Sequence, residues 1–200
     1  MLRHVMILGA ALGWLAAPAA AQDEAATQPA AGEAPAAPAG AAMQVTVASV
    51  SGIAEKRSAA DPEGKWQPVQ AGEALDEMTV LRTGLGAEVV LKFADRGEVT
   101  LRGGTKVGIG EFRRDGEVVK ARLGMKYGAM QTSVDPARGP NDFRVTTPVA
   151  TLSVRGTRGR WAYWGDFGFF LKGDEGHLGA GTDDFQTLVG AGESTDGDLT

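Results

Sequence analysis

Arg155, Arg158 and Arg160 stand within six residues of one another, with Arg144 upstream and Gly156 among them. Guanidinium groups beside a glycine turn can grip a phosphate or a carboxylate, because the planar fork donates paired hydrogen bonds and glycine lets backbone amides approach. The same arginines equally suit a solvated rim of ion pairs. An aromatic cluster follows at once: Trp161, Tyr163, Trp164, Phe167, Phe169 and Phe170 are six of the thirteen aromatic residues. On a strand, Trp161 and Tyr163 share one face and Trp164 takes the other, so one set faces outward unless both faces are covered. An inward set is core; an outward set offers an aromatic patch to a protein partner or a glycan. Arg155, Arg158, Arg160, Trp161, Tyr163 and Trp164 together form the candidate partner surface.

Other chemistry finds few residues to carry it. His177 sits in a Gly-rich acidic segment and reads as a turn residue, and no second histidine accompanies it beyond the leader as a zinc ligand. There is no Gly-x-Ser-x-Gly elbow and no Ser-x-x-Lys. Gly84-Leu85-Gly86 and Gly108-Ile109-Gly110 lack the following Gly, Lys or helix of a phosphate loop. Gly179 to Asp183, with Asp174, Glu175 and Asp184 nearby, resembles one copy of a calcium-binding nonapeptide, but such sites need tandem copies to complete the oxygen cage. Cysteine is absent, which removes disulfides, thiolate metal sites and a Cys nucleophile. The net charge of −5 brings no overall basic bias towards nucleic acid. The expectation is a non-enzyme with no catalytic, cofactor or metal residues.

The elements that position these residues are strands. Val45 and Val47, then Val89, Leu91 and Phe93, then Val99 and Leu101, then Val107 and Ile109 recur with period two. Further apolar runs cover 118–123, 126–131, 143–145, 150–154, 160–164, 168–171 and 185–189. Asp95-Arg96-Gly97, Gly103-Gly104, Asp115-Gly116 and Gly156 stand between them, and such residues supply turn geometry. The spacing predicts an all-β single domain of about a dozen short strands, as a β-sandwich or a solenoid-like roll. Residues 73–77 could form one helical turn. Val69-Gln70-Ala71-Gly72-Glu73 is echoed by Val189-Gly190-Ala191-Gly192-Glu193, too short a match to establish a repeat.

Along the chain, residues 1–21 read as a signal peptide helix: Arg3 and His4, an apolar run from Val5 to Ala17, Pro18, then Ala19 to Ala21, with cleavage expected after Ala21. The run is too short and too rich in Ala and Gly for a stable membrane span, which takes ~20 strongly apolar residues. Residues 22–42 read as a disordered Ala/Pro-rich linker, 43–193 as the domain, and 194–200 as a disordered acidic tail. A periplasmic or secreted location follows from the leader. Residues 96–160 carry net +7 and residues 161–200 net −7. The simplest account is attraction between the last strands and the rest of the domain; a head-to-tail homo-oligomer would use the same asymmetry.

The stretch Thr147-Pro148-Val149-Ala150-Thr151-Leu152-Ser153-Val154-Arg155-Gly156-Thr157, running into Trp161-Ala162-Tyr163, resembles the signature of the FecR domain family. Trp66-Gln67-Pro68-Val69, Gly72-Glu73 and Val80-Leu81-Arg82-Thr83-Gly84 are similar to the family's opening motif. Leu123-Gly124 leading to Gly128-Ala129-Met130 fits its middle, and Val189 to Glu193 its close, so the resemblance covers 44–193. The resemblance implies an all-β domain in the bacterial envelope that binds or senses and does not catalyse. In the best-known members it lies outside an inner-membrane anti-sigma regulator and meets the signalling domain of an outer-membrane transporter. This chain lacks the cytoplasmic domain of that layout, so a stand-alone exported FecR domain is the expectation. An envelope protein is the expected partner. A structural or self-assembling envelope protein, or a cell-wall or glycan-binding module, is the alternative. Of the signature residues Thr147, Pro148, Arg155, Gly156 and Thr157, the proline fixes φ and leaves Thr147 extended, and the Gly and Thr read as fold specification rather than ligand contacts.

Overall fold

The structure is a computed structural model that describes residues 40–181 and 186–197; of 155–157, 186, 196 and 197 it describes the backbone alone. The expected signal peptide and most of the expected linker lie outside the described residues. So do Thr182 to Asp184 of the nonapeptide-like segment.

The strands expected from the period-two pattern form. In chain order they are Ala41–Ala42 (β1), Val45–Ser51 (β2), Ala54–Ser58 (β3), Gln67–Pro68 (β4), Ala74–Leu75 (β5), Thr79–Thr83 (β6), Glu88–Phe93 (β7), Gly97–Leu101 (β8), Lys106–Asp115 (β9), Val118–Val134 (β10), Asn141–Thr146 (β11), Thr151–Tyr163 (β12), Phe169–Gly181 (β13), Gln186–Val189 (β14) and Ser194–Gly197 (β15). All join one sheet. The β10–β11 pair is parallel and the other pairs are antiparallel.

Several boundaries differ from the sequence reading. The runs 118–123 and 126–131 fuse into the seventeen residues of β10, and 150–154 and 160–164 fuse into β12. Gly124 and Gly156 therefore lie within strands, where flanking hydrogen bonds override a turn preference. Ala74–Leu75 is strand rather than helical turn, and His177 is mid-strand in β13, opposite Arg155. The domain begins by Ala41, which pairs with Arg114, and the tail expected to be disordered from 194 starts as β15, paired with β13. Both termini are too poor in apolar residues for pattern to reveal them; backbone pairing alone holds them.

Strand β10 is the spine, and its two halves have different neighbours. Residues 118–127 lie between β9 and β11; residues 128–134 lie between β8 and β12. Strand β12 likewise pairs first with β11 and then with β10, and β13 pairs with both halves of β12. The long strands thus pass from one half of the sheet to the other, the usual way a sheet turns a corner. The corner in β10 is Gly128, at φ +117°, where a Cβ would overlap Thr105. Around it Thr83 Oγ1 donates to Arg102 O (2.6 Å) and accepts from Thr105 N–H (2.9 Å), while Thr105 Oγ1 accepts from Ala129 N–H (3.0 Å).

The two halves close on one core. Phe93 of β7 packs edge-on against Phe112 of β9 and Phe143 of β11, with centroids at 5.1 and 5.4 Å, so a strand of one half meets two of the other. One continuous sheet around one core makes the fold a roll. Its outer strands are short, which limits exposed pairing edges.

The faint echo in sequence is a repeated device. Gly72 and Gly192 adopt φ +82° and +80°. Glu73 Oε2 accepts from Gln70 N–H (3.2 Å), and Glu193 Oε2 from Gly190 N–H (2.7 Å). In the first copy Gly72 N–H and Val47 N–H donate to Val47 O and Glu73 O. In the second Gly192 N–H and Gly173 N–H donate to Gly173 O and Glu193 O. Each turn clamps a strand, and a short strand, β5 or β15, follows it.

Candidate functional site

Strand alternation decides which residues of the Arg-aromatic stretch reach solvent. From Gly159 onward the odd-numbered residues of β12 point inward: Gly159, Trp161 and Tyr163 are buried. Trp161 lies between Met130 on β10 and Leu171 on β13, and its Nε1–H donates to Thr132 Oγ1 (3.1 Å). A Cβ on Gly159 would overlap the Leu178 side chain. The even-numbered residues point outward, and Arg158, Arg160 and Trp164 are exposed. Trp161 and Tyr163 therefore leave the candidate surface and belong to the core. Both parities of the strand carry an aromatic, so only the neighbouring strands decide which faces in.

The outward strip has a charged end and an aromatic end. Arg160 grips Asp174 of β13 bidentately, Nε to Oδ2 at 3.0 Å and Nη2 to Oδ1 at 2.6 Å. Arg158 pairs with Glu175 at 3.8 Å. The hydrogen bond from Arg160 holds the Asp174 carboxyl below its ordinary value and raises the Arg160 guanidinium. These are the cross-strand pairs that the +7 and −7 segments foreshadow. Farther along, Ala162 faces the exposed Phe170, and Trp164 ends the strip.

The remaining arginines do not converge there. Arg144 lies on β11, with Nε 2.9 Å from Asp142 Oδ1, and Arg122 bonds the same carboxylate. Burial pushes the Asp142 carboxyl up, and the two guanidiniums more than reverse this, leaving it below its ordinary value. Residues 155–157 span the point where β12 leaves β11 for β10, with register shifts between Arg155 and Arg158 and between Arg158 and Gly159. Thr147 and Pro148 form the tight link from β11 to β12. Buried Thr147 Oγ1 accepts from Ala150 N–H and donates to Ala150 O, each at 3.0 Å, and Thr147 N–H donates to Ala150 O at 2.8 Å.

Beside that link lies an open groove of about 800 Å³, bordered by Arg144, Pro148, His177 and Leu188, with Ser153 and Gly179 on its floor. No carboxylate lines it among the described residues, so it offers neither an acid–base pair nor a cation cage. No cluster of three metal-binding side chains occurs among the described residues either. No described helix is long and apolar enough to cross a membrane. The sequence reading missed three exposed apolar residues, Ile53, Leu85 and Tyr127, and the cation cluster on Trp66. The only local signal for Leu85 was its position between two glycines.

The family model for FecR protein matches residues 79–166, from the first residue of β6 to the turn after β12. Over these residues the chain is similar to the FecR family. The matched span contains the Thr83–Thr105–Gly128 corner, the Thr147 link and the change of partner in β12. The flanking strands, including both copies of the Gly-Glu clamp, lie outside that span but belong to the same sheet. No curated protein matches the chain. Two crystal structures of a "putative anti-sigma factor" from Parabacteroides distasonis align with it at 16% identity and a TM-score of 0.47. The alignment covers 60% of this chain and 59% of that one.

Proposed function

We propose that this FecR domain is a non-catalytic interaction or sensing module of the bacterial cell envelope, exported by the leader-like residues 1–21. Its contact surface is the outward strip of β12 and β13: Arg158, Arg160, Trp164 and Phe170, with Asp174 and Glu175. One observation carries this reading. The strip places charged pairs beside exposed aromatics on one strand face, the mixture that protein interfaces favour, whereas the groove beside Thr147 holds no carboxylate. The expected partner is an envelope protein, met through direct contact rather than through a bound small molecule or nucleic acid.

The test is crosslinking in intact cells with a tagged chain, followed by mass spectrometry, for wild type and for the Arg158→Glu, Arg160→Glu double variant. A transporter or envelope regulator captured by wild type and lost in the variant supports the reading. Unchanged capture would remove the arginines from the surface, and capture of cell-wall material alone would end the signalling case. Trp164→Ala in parallel reports on the aromatic end.

A further inference from the structure

Five of the exposed large apolar residues lie at one end of the roll, on three loops and beside the corner of β10. Leu85 is 98% exposed, Phe167 93%, Ile53 72%, Trp164 46% and Tyr127 40%. The backbone shows that they are neighbours. Gly84 N–H donates to Ile53 O (2.8 Å), and Gly104 N–H donates to Gly84 O (3.2 Å). A Cβ on Gly104 would touch the Trp164 ring at 3.9 Å. Phe167 shares the Trp164 loop, its N–H 3.4 Å from Trp164 O. Tyr127 directly precedes Gly128, which pairs with Tyr163 next to Trp164.

Cations stand just behind these tips. Arg82 pairs in register with Lys106, and Lys106 with Tyr127. The Trp66 ring gathers Arg82 at 4.1 Å, Arg57 at 4.6 Å and Lys106 at 5.6 Å from its centroid. Arg82 pairs with Glu55, but neither Lys106 nor Lys126 has an ion-pair partner among the described residues. Burial, and then the charges of Lys126, Arg57 and Arg82, depress the Lys106 ammonium, so the field at Lys106 is positive in a chain of net charge −5.

We propose that this end docks on an anionic phospholipid bilayer: Ile53, Leu85 and Phe167 enter the acyl boundary, Trp164 and Tyr127 lie at headgroup level, and Lys106 and Lys126 meet the lipid phosphates. Three features select lipid over a protein partner. Leu85 stands between Gly84 and Gly86, and Phe167 directly precedes Gly168, so each projects singly instead of packing into a patch with a rim. A fluid acyl phase accepts such points at little cost in shape complementarity. The order of apolar tip, interfacial aromatic and lysine follows the layers of a bilayer surface. The positive field complements anionic headgroups. The two sites share Trp164, but Arg158 and Arg160 belong to the first alone and Leu85 and Phe167 to the second alone, so either proposal can fail alone.

Residues 38–200 suffice for the experiment. They form one compact unit, their buried core runs from Val45 to Val189, and they exclude the apolar leader. Flotation is measured with vesicles of phosphatidylcholine alone and of phosphatidylcholine mixed with phosphatidylglycerol. The expected result is binding to the mixed vesicles that weakens about tenfold or more in Leu85→Ser, Phe167→Ser. Lys106→Gln, Lys126→Gln is expected to abolish the preference for phosphatidylglycerol while thermal unfolding of both variants stays close to wild type. No wild-type binding, or binding indifferent to both variants, would overturn the proposal. So would a loss confined to self-association, read by sedimentation velocity, which would make this end a contact between copies.

Discussion

Gly128 combines a φ of +117° with backbone of Thr105 where a side chain would stand. Gly128→Ala is expected to cost about 3 kcal/mol in urea unfolding, from strain and overlap together. Gly72→Ala, at φ +82° with open space around it, should cost about 1 kcal/mol. Equal costs would mean that the corner relaxes and the overlap counts for nothing. Thr132→Val leaves the buried Trp161 Nε1–H without its acceptor, and a loss of about 1–3 kcal/mol is expected. Met78 runs the other way. It is exposed at φ +64°, and Met78→Gly should raise the unfolding midpoint by relieving about 1 kcal/mol of strain. At this scale the sequence was partly legible. Gly72 lies in a Gly-Glu turn that the pattern exposed, whereas the demand on Gly128 comes from Thr105, twenty-three residues away, and left no local mark.

Carboxylates fasten one element to the next. Glu77, in the link from β5 to β6, accepts from Arg113 Nε (2.9 Å) and Nη2 (2.7 Å) and from Phe112 N–H (3.0 Å), which ties that link to β9. Arg113 holds the Glu77 carboxyl below its ordinary value, and Lys56 does the same for Glu73 in the first clamp. A folded-state pKa below the unfolded one gives stability that is present above the ordinary carboxylate range and is lost as pH falls through the folded value. Acid unfolding is therefore expected to begin below about pH 5. Glu77→Gln should lower stability at neutral pH and flatten that acid limb; a limb as steep as wild type would assign the dependence to other groups. The strands themselves were legible as alternating apolar runs. Their fusion across Gly124 and Gly156 was not, because a glycine reads locally as a break, and only pairing to neighbours carries the strand through it.

The +7 and −7 segments meet within the molecule, where Arg158 and Arg160 face Glu175 and Asp174 across adjacent strands. These two pairs keep their four charges within the molecule. The domain is therefore expected to sediment as a monomer at low salt and to be unchanged at high salt; a dimer that dissolves with salt would return the asymmetry to self-association. From residue types and period two came the all-β class, most strand positions and the match of opposite charges, and from short ordered motifs the FecR resemblance, since each is a local pattern or a composition. Three things needed the tertiary structure: that Trp161 and Tyr163 face in while Trp164 faces out, that β10 and β12 change partners at a corner, and that Ile53, Leu85, Tyr127, Trp164 and Phe167 gather at one end. Alternation fixes which residues share a face but not which face meets the core, and loops far apart in sequence become neighbours only when the sheet closes.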